Sequence, residues 1–397
     1  MISDKHLFWG ASFSTTTNYG AARRSDWRRW EERKLLTPSE NGNDFGDRFR
    51  EDFSLLASHG LSQVRLPIDW ARIEPFPGRL DHDAIEQTHE RFAAAKEAGL
   101  TIWATLFDGP LPGWFSEDTD GFRTTHGPPV HWSRHVDRMA EMFDEYVTAW
   151  VPAIDPIGWA LRSHYFDTAP PGRTTTDAMY EALEGVLDAT FEAHRLLTSG
   201  TKPVIGNFAL PTLHIHEDAS AAHEREWDAT IWQSWIRAIG EGVLEWPWKA
   251  AVERPDMADA FDAIDVGIAG PLGIDPASAL TPWASSPAAR RDRSGSYPSP
   301  ASLSAVLDRL RESLPDYELI VSGLGAVDSD DDWRGELFEE WLDQIVGARN
   351  DGLAIRGIFL DPVIDGYSQA AGDFVEAGVF TRNREPKPSF QWIQAQQ

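Results

Sequence analysis

The sequence contains no cysteine. Disulfides, thiolate nucleophiles, iron–sulfur clusters and Cys-ligated zinc are therefore excluded together. Positive charge is scarce as well: 36 Lys and Arg stand against 63 Asp and Glu, a formal net charge of −27. Neutralising phosphates requires clustered cations. The basic pairs here, Arg23-Arg24, Arg28-Arg29 and Arg290-Arg291, are interleaved with Trp, Glu and Asp, so neither a nucleic acid nor an anionic membrane surface is an expected partner. No uninterrupted apolar run nears the roughly 18 residues of a membrane helix. From Met1 to Gly10, Asp4, Lys5 and His6 precede an apolar run too short for a signal-peptide core. A cytoplasmic location is the expectation.

What is present describes an ordinary globular protein. With 42% hydrophobic and 25% charged residues in 397, the chain can bury one large core or two small ones. Tryptophan is in excess, at 18. Flat aromatic faces suit sugar rings, although large α/β barrels also use Trp structurally.

Along the chain, helical and strand patterns alternate. Phe49, Phe53, Leu55, Leu56 and Leu61 recur at helical spacing until Gly60 stops the helix, and Leu61 to Pro67 then reads as a strand. A helix over 83–98 stops at Gly99 and runs into the apolar strand 100–107. Further helices are expected over 130–150, 176–198, 225–240, 302–313 and 333–349. Further strands are expected over 157–163, 203–207, 263–268, 318–322 and 355–360. With 7–12 as the first, the strands number eight. Short strands apolar on both faces, alternating with amphipathic helices, predict a single (β/α)8 barrel over residues 1–397. A doubly wound sheet would want a Gly-rich phosphate turn after its first strand, and Gly10-Ala11-Ser12-Phe13 is not one. No cofactor is expected, and the stretch 281–300 reads as a surface loop.

Phe8-Trp9-Gly10-Ala11-Ser12, the run from Arg65 through Trp70, Arg72 and Ile73 to Pro75, Thr105-Leu106 with Leu111-Pro112, and Arg356-Gly357-Ile358-Phe359 resemble the β-glucosidases of glycoside hydrolase family 1. The resemblance implies a retaining glycosidase barrel with two glutamates about 5 Å apart. The family's nucleophile motif on the seventh strand corresponds to Ser322-Gly323-Leu324-Gly325, so glycine stands at the nucleophile position. The acid/base motif at the fourth strand corresponds either to Asp155-Pro156, by loop spacing, or to Ser163-His164, by matching the strand through Trp159. The second register is preferred here, because Val151-Pro152-Ala153-Ile154 carries proline inside a would-be central strand. Of the family's sugar-binding positions, a Gln becomes Thr17, a His-Trp pair becomes Asp108-Gly109, a Tyr becomes Ile268 or Ala269, and a Glu-Trp pair becomes Ser368-Gln369. Arg65, Asn207 and Asp365 survive.

The expected site therefore gathers Asp108, Asp155, His164 and Asp361 as catalytic candidates. Trp9, Thr17, Arg65, Asn207 and Asp365 are its binding candidates for a carbohydrate or other small molecule. Several of these residues have plainer alternatives. Arg65, which in the family supports the nucleophile through charge, could be a buried cation paired with an Asp. Asp365 could cap a turn, and His164 could be a hydrogen-bonded core histidine rather than an acid/base. His214, His216, Glu217 and His223 have the look of a metal cluster but lack a diagnostic spacing and read as a solvated loop. The acids from Asp328 to Asp332 lack the pattern of a calcium loop. No metal is expected. The leading reading is action on a glycoside by a route other than two-glutamate retention. A non-catalytic sugar- or partner-binding protein and a repurposed lyase or isomerase are the alternatives.

Overall fold

A computed structural model describes residues 7–123 and 129–394 of the chain. Eight parallel strands form one sheet: β1 (Phe8–Ser12), β2 (Gln63–Pro67), β3 (Thr101–Thr105), β4 (Ala149–Val151), β5 (Ile205–Leu210), β6 (Ala263–Ile268), β7 (Leu319–Leu324) and β8 (Ile355–Leu360). Hydrogen-bonded neighbours run β4-β3-β2-β1-β8-β7-β6-β5. The two outer strands, β4 and β5, meet where Trp150 N donates to Pro203 O at 2.9 Å and Trp150 bridges Val204 in parallel. The sheet is thus a nearly closed (β/α)8 barrel.

The helices that cover it are α1 (Phe45–Ser58), α2 (His82–Glu97), α3 (Val130–Phe143), α4 (Thr176–Leu197), α5 (Ser234–Glu241), α6 (Pro300–Ser313), α7 (Asp331–Asn350) and α8 (Pro388–Gln394). Their ends are set locally. Asp81 caps α2 through the Asp83 and Ala84 amides, Thr175 caps α4, and Asp330 caps α7. Past α2, Gly99 takes φ +79°, which lets the chain reverse into β3 within three residues.

Strand alternation divides the core in two. One set of side chains, including Trp9, Ala11, Phe13, Val64 and Leu66, packs outward with the helices. The other fills the lumen with Trp103, Ala149, Val151, Ile205, Ala263, Ile320 and Phe359, with Phe8 against them. Phe8, Trp103 and Phe359 form an aromatic floor with ring centroids 5.2–5.7 Å apart.

The fourth β/α unit departs from the sequence expectation. Residues 157–163 are not a strand but lie in the helix Pro156–His164. Asp155, at φ +46°, caps that helix by accepting from Gly158 N, and Pro156 occupies its first turn, where a missing N–H costs nothing. The true strand is three residues long and ends at Val151, just before Pro152, so the proline lies outside it. The expected helix 130–150 accordingly ends at Phe143, and that expected over 225–240 is two helices joined by a π-helical turn at Ala229–Gln233.

Candidate active site

Above the aromatic floor lies a buried polar layer. Arg65, on β2, points into the lumen with its Cζ 5.1 Å from the Phe359 ring centre. Its Nε donates to Ser12 Oγ at 3.0 Å, and its Nη1 is ion-paired with Asp265 Oδ2 from β6. The same Asp265 oxygen accepts from Asn207 Nδ2 on β5 at 2.8 Å, while Asp265 Oδ1 has no partner among the described residues. Asn207 Nδ2 also lies 3.4 Å from Ser322 Oγ on β7, and its Oδ1 accepts from Asp155 N at 2.9 Å. Arg65, Asp265, Asn207 and Ser322 are each at most 2% exposed. Charges so deeply buried persist only when paired and hydrogen-bonded.

Two further carboxyls rise from this layer at the mouth. Asp361 directly follows β8 and is half-buried. Burial pushes its carboxyl up to about 6, Asp265 adds to the rise, and Arg65 and a hydrogen bond from Ser12 oppose it. Asp108 follows β3 and accepts from Thr15 N at 2.6 Å and Thr15 Oγ1 at 3.1 Å. Burial pushes it up to about 7, against those bonds, with the Asp69 charge adding to the rise. Ser12 and Thr15 lie on one short turn, within about 11 Å even if fully extended. Asp361 and Asp108 therefore each bond the same short segment of backbone. Across it, Gln369 Nε2 donates to Thr16 Oγ1 at 2.8 Å.

Asp155 also lies at this end of the barrel, but its carboxylate is occupied. It accepts from Gly158 N, from Ala209 N at 3.3 Å and from Arg162 Nη1 at 2.7 Å. Gly323 sits where the β7–β8 register slips between Ser322 and Leu324, at φ +76°. A residue with a side chain is strained in that conformation, although a Cβ there would meet only Ile268 backbone atoms, at 3.7 and 3.9 Å.

The structure thus brings Arg65, Asn207, Asp361, Asp108 and Asp155 to one end of the barrel. Other expected residues are placed differently. Trp9 is 3% exposed and packs among the outward-facing side chains, because it alternates with the lumen-facing Phe8, Gly10 and Ser12. Its ring cannot line the mouth. His164 lies on a helix rather than a strand end and is 2% exposed beside Trp159. Burial pushes its imidazole down to about 3, so the ring is neutral at pH 7. Asp365 turns away to accept from Gly378 N at 2.8 Å and Lys387 Nζ at 2.6 Å, so its carboxylate ties down the C-terminal segment rather than capping the turn it sits on. Thr17 is half-buried on the turn after β1, where its carbonyl accepts from Asn43 N.

His214 and His216 pack around Trp283, with ring centres 5.3 and 4.8 Å away. Asp328 and Asp330 pair with Arg290, and Asp331 pairs with Arg334. Among the described residues no group of three or more His, Cys, Asp and Glu is placed to hold a metal ion. Sequence reading missed Asp265, although a charged residue at an inward position of the apolar strand 263–268 was the available signal. A separate cleft of about 360 Å³, lined by Tyr19, Phe49, Arg72 and Arg91 among others, contains none of the expected site residues.

Comparison with known proteins places this geometry. The family model described as glycosyl hydrolase family 1 matches residues 5–238. The chain is 24% identical to a 6-phospho-beta-galactosidase of Staphylococcus haemolyticus over 98% of this chain and 97% of that protein. It is also 26% identical to beta-glucosidase 1B of Phanerodontia chrysosporium, over 33% of this chain and 25% of that protein. The alignments with the first curated relatives, which also include a 6-phospho-beta-galactosidase of Lacticaseibacillus rhamnosus, span a quarter to about a third of those proteins' length. Among solved structures, a beta-glycosidase from Pyrococcus horikoshii superposes with a TM-score of 0.84 at 21% identity, covering 98% of this chain and 92% of that one. The beta-glycosidase of Thermosphaera aggregans gives 0.84 at 18%, covering 100% and 96%. At such identities the likeness is one of fold.

Proposed function

Because the chain belongs to glycosyl hydrolase family 1, we propose that its barrel mouth acts on a glycoside or glycoside-like compound by a route other than two-glutamate retention. The observation that carries this reading is the pair Asp361 and Asp108, two carboxyls at the strand ends that bond one short segment, at Ser12 and at Thr15, and that burial raises above the ordinary carboxylate range. Glycosidic cleavage needs one carboxylic acid to protonate the leaving oxygen and, in an inverting enzyme, one carboxylate to activate water. Arg65 beside Asp361 favours its ionised form, whereas no cation offsets the burial of Asp108 and the Asp69 charge raises it further. Asp108 is accordingly the general acid and Asp361 the general base. Asn207 and Ser322 border the layer below them. Gly323, at the position where the family resemblance places a nucleophile, offers no carboxylate for a covalent intermediate.

One observation favours a second reading, binding without turnover. Asp155, at the acid/base position by loop spacing, has its carboxylate tied to Arg162 and to two backbone amides. Product analysis over a panel of aryl glycosides decides between the two, since turnover supports the first and saturable binding without product the second. Treatment with a 2-fluoro glycoside should leave residues 318–326 unlabelled. A covalent adduct there would overturn the proposed route.

A further inference from the structure

Arg65 and Asp265 stand on β2 and β6, which are four strands apart in a ring of eight and so face each other across the lumen. Their ion pair is a bar across the barrel, with the aromatic floor below and Asp361 above. A guanidinium 2% exposed needs a carboxylate partner, since leaving it unpaired in a desolvated site is strongly unfavourable. In the family pattern that partner is the carboxylate of the seventh strand, and here β7 carries Gly323. The adjacent strand supplies a carboxylate instead. Register pairs Ile320 with Asp265 and Ser322 with Gly267, so Asp265 sits one strand over and one inward-facing position deeper than Ser322.

We infer that Asp265 is the replacement counter-ion of Arg65, a positioning residue that neutralises the guanidinium beneath Asp361 in place of a carboxylate at position 323. The inference rests on the family reading of Gly323 but not on turnover. Asp265 fits this role better than that of a nucleophile, because it is fully buried and one of its oxygens is shared by Arg65 and Asn207. The exchange also changes what the mouth feels. Asp361 faces Arg65 from β2, Asp265 from β6 and Ser12 from β1. With Asp265 in place part of the guanidinium's pull on Asp361 is offset, which helps Asp361 keep its proton closer to neutrality.

The test is Asp265→Asn, nearly isosteric, with the Asp361 carboxyl followed by carbon-13 NMR over a pH titration of the full chain. Removing Asp265 takes away a repulsive charge and frees Arg65, so the Asp361 midpoint should fall below about 6. An unchanged or raised midpoint overturns the inference. If Asp265→Asn does not fold, the double variant Arg65→Met with Asp265→Asn removes both charges and should restore a cooperative unfolding transition. A double variant no more stable than the single one would equally overturn the assignment. Neither measurement involves a substrate, so a failure of glycoside turnover would leave it standing, and its own failure would leave the proposed acid and base untouched.

Discussion

Replacing Asp108 with asparagine should separate stability from function. The unfolded chain releases the Asp108 proton near 3.8, whereas the folded protein keeps it to about 7. Over that window the folded state binds the extra proton, so stability falls as pH rises from about 4 to about 7 and is level above. The gap of about three pKa units, at 1.36 kcal/mol each, is about 4 kcal/mol, an upper limit because Asp108 is only half-buried. Asparagine fits the same space, can accept from Thr15 N through Oδ1 and has no charge to desolvate. The variant should match the parent near pH 4 and exceed it increasingly up to pH 7. With an unfolding entropy of about 2 cal/mol/K per residue, 397 residues turn 4 kcal/mol into a Tm rise of about 5 °C. Activity should meanwhile drop at least about tenfold, since asparagine has no proton to give the leaving oxygen and general acid catalysis contributes about 10²–10⁴-fold. Calorimetric scans at pH 4, 5.5 and 7.5 provide the check. A Tm difference that does not change with pH would show that Asp108 ionises freely in the folded protein, and the acid role would fall with it.

Other outcomes follow from the same geometry. Turnover against pH should be bell-shaped, rising as Asp361 deprotonates near 6 and falling as Asp108 deprotonates near 7, so a single-limbed profile would remove one of the two roles. Trp9→Ala should cost about 3–5 kcal/mol of stability by leaving a cavity between barrel and helices, with ligand affinity of the folded fraction unchanged in a calorimetric titration. Asp155→Ala removes a helix cap worth about 1 kcal/mol along with its contact to Arg162. Denaturant midpoints should fall accordingly, and no loss at all would contradict the capping role.

Much of the barrel was legible because buried parallel strands are continuous apolar runs, and a glycine follows both α1 and α2 close to where it was expected. The fourth unit was misread for two physical reasons. A three-residue strand is too short to show periodicity, and the helix Pro156–His164 is apolar on nearly all sides, with Ile157, Trp159, Ala160 and Leu161 all buried. The Asp155-Pro156 pair was in fact a helix-start signal. In the site, strand-end position pointed to Arg65, Asn207, Asp108 and Asp361, which lie at one end of the barrel, the first two in the buried layer and the last two above it. Side-chain direction was harder: Trp9 is one residue out of phase with the lumen, and a single step along a strand reverses the face. The Arg65–Asp265 pair joins residues 200 positions apart, a separation that only barrel closure removes.

The seam between β4 and β5 has a consequence for how the site comes and goes. Low on the seam Trp150 N reaches Pro203 O, and higher up side chains take over, with Asn207 Oδ1 holding Asp155 N and Asp155 Oδ1 holding Ala209 N. The bonds that shut the cylinder are thus partly the bonds that build its mouth. A fluctuation that parts this seam would separate Asp155 from Asn207 while most of the helical shell stays packed. Amide exchange at Asp155 and Ala209 should then be faster than in β2 or β8 and slowed by a bound ligand, so that occupancy of the mouth and closure of the barrel report on one another.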